Sequence, residues 1–160
     1  MSLTRLRRAL WPLARPLVHF YWRLARPATL GVRAMVIDGQ DRIFLVEHSY
    51  IAGWHLPGGG VENGETLQSA LARELAEEGN IRLGTAPRLH AVYFNKRASR
   101  RDHVALFVVR DFVQDKPPEP NREIVGHGFF ARDALPEDTG RATRARIAEV
   151  FDGVAASELW

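Results

Sequence analysis

A chain of 160 residues, 46% hydrophobic and 26% charged, has the size of one domain with a modest extension and the composition of a soluble globular protein. The absence of cysteine excludes disulfides, thiolate metal sites and thiol nucleophiles together, so a metal would be held by oxygen or imidazole, and a cytoplasmic location is expected. The net charge of +3 hides an asymmetry, because residues 1 to 30 carry six arginines and no acid, leaving 16 basic against 19 acidic residues in the remainder. The domain itself is therefore not basic, and specific nucleic-acid binding is not expected of it.

Residues 1–28 form a basic, aromatic-rich extension, followed by a domain over 29–155. Pro12, Arg15 and Pro16 interrupt the apolar stretch of the extension, unlike a signal peptide, and no run approaches the roughly 18 apolar residues of a spanning helix. Trp11 to Pro16 reads W-P-L-A-R-P and Trp22 to Pro27 reads W-R-L-A-R-P, and Pro16 splits the segment into two short helical pieces. Trp11, Phe20, Tyr21 and Trp22 are expected to pack on the domain or on a second copy in a homodimer. A basic amphipathic contact with a membrane surface through residues 1–28 is the alternative.

From Gly31 the pattern turns to β. Val32 to Ile37 and Ile43 to Val46 flank Asp38-Gly39, a hairpin signal. Residues 66 to 79 read as a helix, with Thr66 placed to cap it and Leu67, Ala70, Leu71 and Leu75 at helical spacing. Strands are expected at Arg88 to Phe94, His103 to Phe112 and Gly128 to Ala131, separated by a basic loop, Lys96 to Asp102, and a proline-rich one, Lys116 to Asn121. A helix near Arg141 to Phe151 closes the pattern. Strands around a central helix with a second helix at the end suggest an α/β fold, a mixed sheet covered on both faces.

The chemistry concentrates between Trp54 and Ile81, where a glycine-rich loop runs into an acidic helix. Glu74, Glu77 and Glu78 stand at i, i+3 and i+4, within an arc of about 100° that overlaps the apolar stripe of the same helix. They should face the protein or a cleft. As pure structure the arrangement is unfavourable: like charges repel by roughly 0.2 to 0.5 kcal/mol per pair, and anions at a helix C-terminus cost roughly 0.3 to 1 kcal/mol each. A hard divalent cation, Mg²⁺ or Mn²⁺, would offset this and bridge to phosphate oxygens. Pro57-Gly58-Gly59-Gly60 permits close backbone approach, so a carbonyl there can join the ligands.

Gly59, Glu65, Arg73, Glu74, Leu75, Glu77, Glu78 and Ile81 all fall in register with G-x5-E-x7-R-E-U-x-E-E-x-G-U, where U is apolar, and the segment resembles the Nudix box. One position departs: Asn80 stands where the family has glycine, just past the helix, where Asn is the usual substitute in a left-handed conformation. The resemblance implies a Nudix-like α/β/α sandwich with a mixed β-sheet. It makes Glu74, Glu77 and Glu78 metal ligands, with the Gly59 or Gly58 carbonyl beside them, and gives Glu65 and Arg73 a supporting role as a mutual ion pair.

The implied reaction is attack of water on a nucleoside diphosphate linked to another moiety X, with a nucleotide-like diphosphate as substrate. A non-catalytic nucleotide- or protein-binding module is the alternative, disfavoured by the intact acidic cluster. Arg97, Arg100 and Arg101, with Lys96, can clamp phosphates, and Tyr93 can stack a base. The resemblance implies a general base that in the family is often a glutamate outside the box, before a late strand, which here points to Asn121 to Phe130; Glu123 is favoured over His127, with a box glutamate such as Glu77 as the fallback.

Overall fold

Strict alternation along β1 (Thr29–Val36) makes it the spine of the computed structural model, which describes residues 28–119 and 122–160 together with Pro16, Tyr21 and Ala25. Val32, Ala34 and Val36 enter one core, while Met35, one step out of phase, enters a second. β2 (Ile43–His48) alternates likewise, with Phe44 and Val46 in the first core and Ile43 and Leu45 in the second. A strand that is apolar on both faces must be covered on both. Helix α1 (Leu67–Gly79) covers the first face through Ala70, Leu71 and Leu75, and α2 (Arg141–Phe151) covers the second through Ile147.

Between β2 and α1 lies β3 (Ile51–His55); after α1 come β4 (Arg82–Leu83), β5 (Arg88–Phe94), β6 (Asp102–Val109), β7 (Phe112–Val113) and β8 (Ile124–Phe130). A 3-10 turn (Arg132–Ala134) leads to α2. β1 pairs in parallel with β6, and β5 runs antiparallel to β6, giving a mixed sheet in the order β1-β6-β5. β2 lies between β3 and β8, antiparallel to both, and β4 pairs with β7. The result is the α/β sandwich with a mixed sheet that the sequence implies.

Two expectations change. Asp38-Gly39 does not close a two-stranded hairpin: β1 and β2 part into different sheets after one bridge, Ile37 to Ile43. The left-handed residue of that turn is Asp41 (φ 57°), and Asp38 accepts hydrogen bonds from the amides of Gln40 and Arg42. The chain also stays on the domain beyond residue 155. Phe94 N–H donates to the Glu158 carbonyl, Trp160 N–H donates back to the Phe94 carbonyl, and the partly buried Trp160 indole packs against the second core. In the extension only Pro16, Tyr21 and Ala25 are described, all helical, so the expected packing of Trp11, Phe20 and Trp22 lies outside the described residues. No helix among the described residues is long and apolar enough to cross a membrane.

Candidate active site

The free edge of β1 holds the glycine loop. Val32 N–H donates to Gly59 O and Ala34 N–H to Pro57 O, both at 2.9 Å, and Val61 N–H returns to Leu30 O. This leaves no room at Gly58, where φ is +134° and a Cβ would drive into the Val32 carbonyl. With the loop pinned, the Gly58 amide faces α1 and donates to Glu78 Oε2 at 2.6 Å. A Cβ on Gly59 would meet the Glu74 carboxylate, which therefore lies directly against the loop.

The helix that carries these acids starts with a reciprocal cap: Thr66 Oγ1 accepts from Ser69 N–H at 3.1 Å, and Ser69 Oγ accepts from Thr66 N–H at 2.9 Å. It ends at Asn80, left-handed at φ 51° and ψ 36°, whose amide donates to Ala76 O and whose Nδ2 donates to Lys116 O. Arg73 ties helix to loop. Its Nε and Nη2 hold the two Glu65 oxygens at 2.9 and 3.1 Å, Nη2 also donates to Gly60 O, and Nη1 reaches Glu74 at 2.7 Å. Burial pushes the Glu74 carboxyl above its usual range against the opposing pull of Arg73, and Glu78 and Glu77 push the same way as burial.

A β-bulge supplies a side chain that no motif announces. The β2 register shifts between Glu47 and His48, so His48 pairs with Ile124 and its ring turns toward α1. His48 is 5% exposed and its Nε2 lies 2.8 Å from Glu78 Oε1. Among the described residues its Nδ1 has no hydrogen-bond partner, a buried polar atom that calls for one. Glu123, just before β8, completes the group: His48, Glu78 and Glu123 offer ligand atoms all within 4.8 Å of one another. Tyr50 O–H donates to Glu123 Oε1 at 2.9 Å, and burial, reinforced by Glu123, pushes the phenol up to about 12. Carboxylate oxygens with one imidazole form a donor set that suits Mg²⁺ or Mn²⁺.

The NUDIX domain family model matches residues 27–151, most of the chain. The chain belongs to the Nudix family. Diphosphoinositol polyphosphate phosphohydrolase 2 of Rattus norvegicus is 35% identical over 99 residues, 61% of this chain and 55% of that protein. An RNA pyrophosphohydrolase of Francisella philomiragia is 39% identical over 52 residues, 32% of this chain and 34% of the relative. The chain thus spans about half or less of the length of these curated relatives. Among solved structures, a MutT NUDIX hydrolase from Burkholderia pseudomallei superposes with a TM-score of 0.65 at 26% identity, covering 77% of this chain and 98% of that one.

Within this Nudix site the box residues divide. Glu78 and Glu74 turn inward, whereas the Glu77 side chain is 60% exposed and only approaches Arg73, at 3.5 Å. His127 lies apart from the cluster, opposite Val46, with its ring over Phe44 at 6.2 Å. Tyr93 requires correction as a stacking residue. It is 0% exposed, its hydroxyl donates to buried Glu149, Arg146 lies over its ring and Trp160 packs against it edge to face, so a base has no access. Of the basic loop, Lys96 and Arg97 line cavities, while Arg100 and Arg101 are exposed on the same turn without lining them. His48 and Tyr50 were not legible as neighbours of Glu78 and Glu123. Neither belongs to a motif, and only the bulge and the sandwich bring them to this end of the molecule.

Proposed function

We propose that the chain hydrolyses a phosphoanhydride bond in a nucleoside diphosphate linked to another moiety, with Mg²⁺ or Mn²⁺ as cofactor. The observation that carries this reading is the convergence of Glu78, His48 and Glu123 from three separate elements within 4.8 Å, beside the amide of Gly58. A divalent cation at this position would polarise phosphoryl oxygens and stabilise the leaving phosphate. Glu78, Glu74 and the exposed Glu77 are its carboxylate ligands. Glu78 is oriented by His48 and the Gly58 amide and keeps about two of the roughly four acceptor positions of a carboxylate free.

The backbone ligand is assigned to Gly58 rather than Gly59. The carbonyls of Pro57 and Gly59 both accept from β1, and carbonyls alternate along an extended segment, which turns that of Gly58 toward the helix. Glu123 acts as general base toward the attacking water, held in place by Tyr50. Arg73 and Glu65 hold loop and helix together, and Arg97 meets the anionic substrate. The names of the relatives share a phosphoanhydride as the group cleaved and differ in what it is attached to. A cytoplasmic location belongs to the same reading, since the fold depends on no disulfide.

The test is product release from a panel of nucleoside triphosphates, ADP-ribose, dinucleoside polyphosphates, NADH, coenzyme A and diphosphoinositol polyphosphates with Mg²⁺. At least one should be cleaved, with activity abolished by EDTA and reduced by roughly 10²-fold or more in Glu78→Gln. Cleavage that persists in EDTA, or an unimpaired Glu78→Gln enzyme, would overturn the reading.

A further inference from the structure

We infer that the end of the sandwich next to the catalytic cluster carries a separate phosphate site, built from Arg33, Arg97, Arg141 and the first turn of α2, which holds a phosphate of the substrate other than the pair joined by the scissile bond. A cavity of about 270 Å³ opens there, lined by these three arginines with His55, Thr143 and Trp160 among its walls and, among the described residues, by no acidic one. It adjoins the catalytic cluster: the His55 ring stands 6.2 Å from that of His48, which contacts Glu78.

Arg42, Arg82, Arg110, Arg132 and Arg146 each hold a carboxylate. Among the described residues, Arg33, Arg97 and Arg141 hold none; of these three, Arg33 alone has a fixed partner, the Leu56 carbonyl at 2.9 Å. Arg88, Arg100, Arg101, Arg122 and Arg144 also hold no carboxylate among the described residues, and what sets Arg33, Arg97 and Arg141 apart is that they line one cavity together. Three guanidinium groups facing one cavity repel each other unless an anion joins them, and phosphate matches their fork of donors.

The helix end points the same way. α2 begins at Gly140 with no side-chain cap and no acid in its first turn, and a cation, Arg141, stands at the position the helix dipole disfavours. Thr143 is 2% exposed, lines the cavity, and presents a hydroxyl that no group among the described residues engages. Uncapped amides, a free hydroxyl and three cations together meet the requirements of a phosphate dianion. A second cavity of about 380 Å³, lined by Phe94, Lys96, Arg97, Leu159 and Trp160, shares Arg97 and Trp160 with the first and offers the attached organic group an aromatic wall.

This assignment rests on the proposed diphosphate chemistry for its ligand, but its test does not depend on hydrolysis. Inorganic phosphate is titrated into the full chain in EDTA, where the catalytic carboxylates repel anions, and backbone amide shifts are followed at constant ionic strength with chloride as control. The amides of Arg141, Ala142 and Thr143 should shift saturably. Binding should weaken about tenfold or more in Arg141→Gln and in Arg33→Gln, roughly one charge-assisted contact each, with partial recovery in Arg141→Lys and full retention in Glu78→Gln. Absence of a saturable shift, or equal binding in the arginine variants, would overturn the site even if hydrolysis is established. With any diphosphate that is cleaved, phosphate should raise KM in the wild type and not in Arg141→Gln. An effect on kcat alone would make the anion a regulator and overturn its assignment to the substrate.

Discussion

At Asn80 the departure from the family pattern is compensated by geometry, since the residue occupies the left-handed region at φ 51° that glycine would fill, and its amide group also reaches the Lys116 carbonyl. Asn80→Gly keeps the conformation but loses that contact, so it should be nearly neutral, whereas Asn80→Val forces a β-branched residue to positive φ at a cost of roughly 1 to 3 kcal/mol. Thermal melts of the two variants check this, and equal midpoints would contradict it. Glu123 gives the sharper functional prediction. As general base, Glu123→Gln should lower kcat by roughly 10²-fold or more with little change in metal affinity measured by Mn²⁺ titration; a parallel loss of metal binding would make it a ligand. That Glu74 and Glu78 turn toward the protein was readable because helical spacing fixes the face they share with the apolar stripe. His48 and Tyr50 were not, because their roles depend on a register shift in β2 that residue types do not encode.

At the scale of elements, the glycine loop works because it is read as a strand by β1 and as a hydrogen-bond donor by α1. Gly58 is the pivot of both contacts. Gly58→Ala must move the loop off β1, since its Cβ would overlap the Val32 carbonyl and its φ of +134° is barred to alanine. A loss of roughly 1 to 3 kcal/mol in stability is expected, together with weaker metal binding, because the amide that orients Glu78 moves with the loop. Denaturant unfolding and Mn²⁺ titration measure the two effects, and an alanine variant with both intact would refute the close approach. The sequence announced α1 down to its capping threonine, because capping and apolar spacing are local. It did not announce β3, β4 or β7, which are short, and it overstated the Asp38-Gly39 hairpin, because β1 finds a better partner in β6 than in β2. Tertiary pairing decides such cases.

The molecule as a whole is closed by residues after α2, a contribution that carries no periodic signal and was missed for that reason. Buried Glu149 organises it: Tyr93 O–H and Arg146 Nη2 each lie 2.6 Å from its carboxylate, and Ser157 N–H donates at 3.0 Å. Arg146 in turn lies over the Tyr93 ring and donates to the Leu159 carbonyl, so the network clamps the terminal segment onto β5 and α2. Burial alone would raise the Glu149 pKa, but these donors outweigh it and hold the carboxyl below its ordinary value of 4.5. A group depressed in the folded state contributes stability that is fully present above its unfolded value and is lost as pH falls through its folded one. The wild type should therefore lose stability below about pH 4.5 in part through this site. Glu149→Gln should cost roughly 3 to 5 kcal/mol near neutral pH by stranding Arg146, and the gap to the wild type should narrow in acid. Tyr93→Phe, which removes one donor, should narrow it less and serves if the glutamine variant fails to fold. Urea unfolding between neutral pH and the acid limb measures the gap, and a gap independent of pH in both variants would show that the Glu149 charge does not hold the segment.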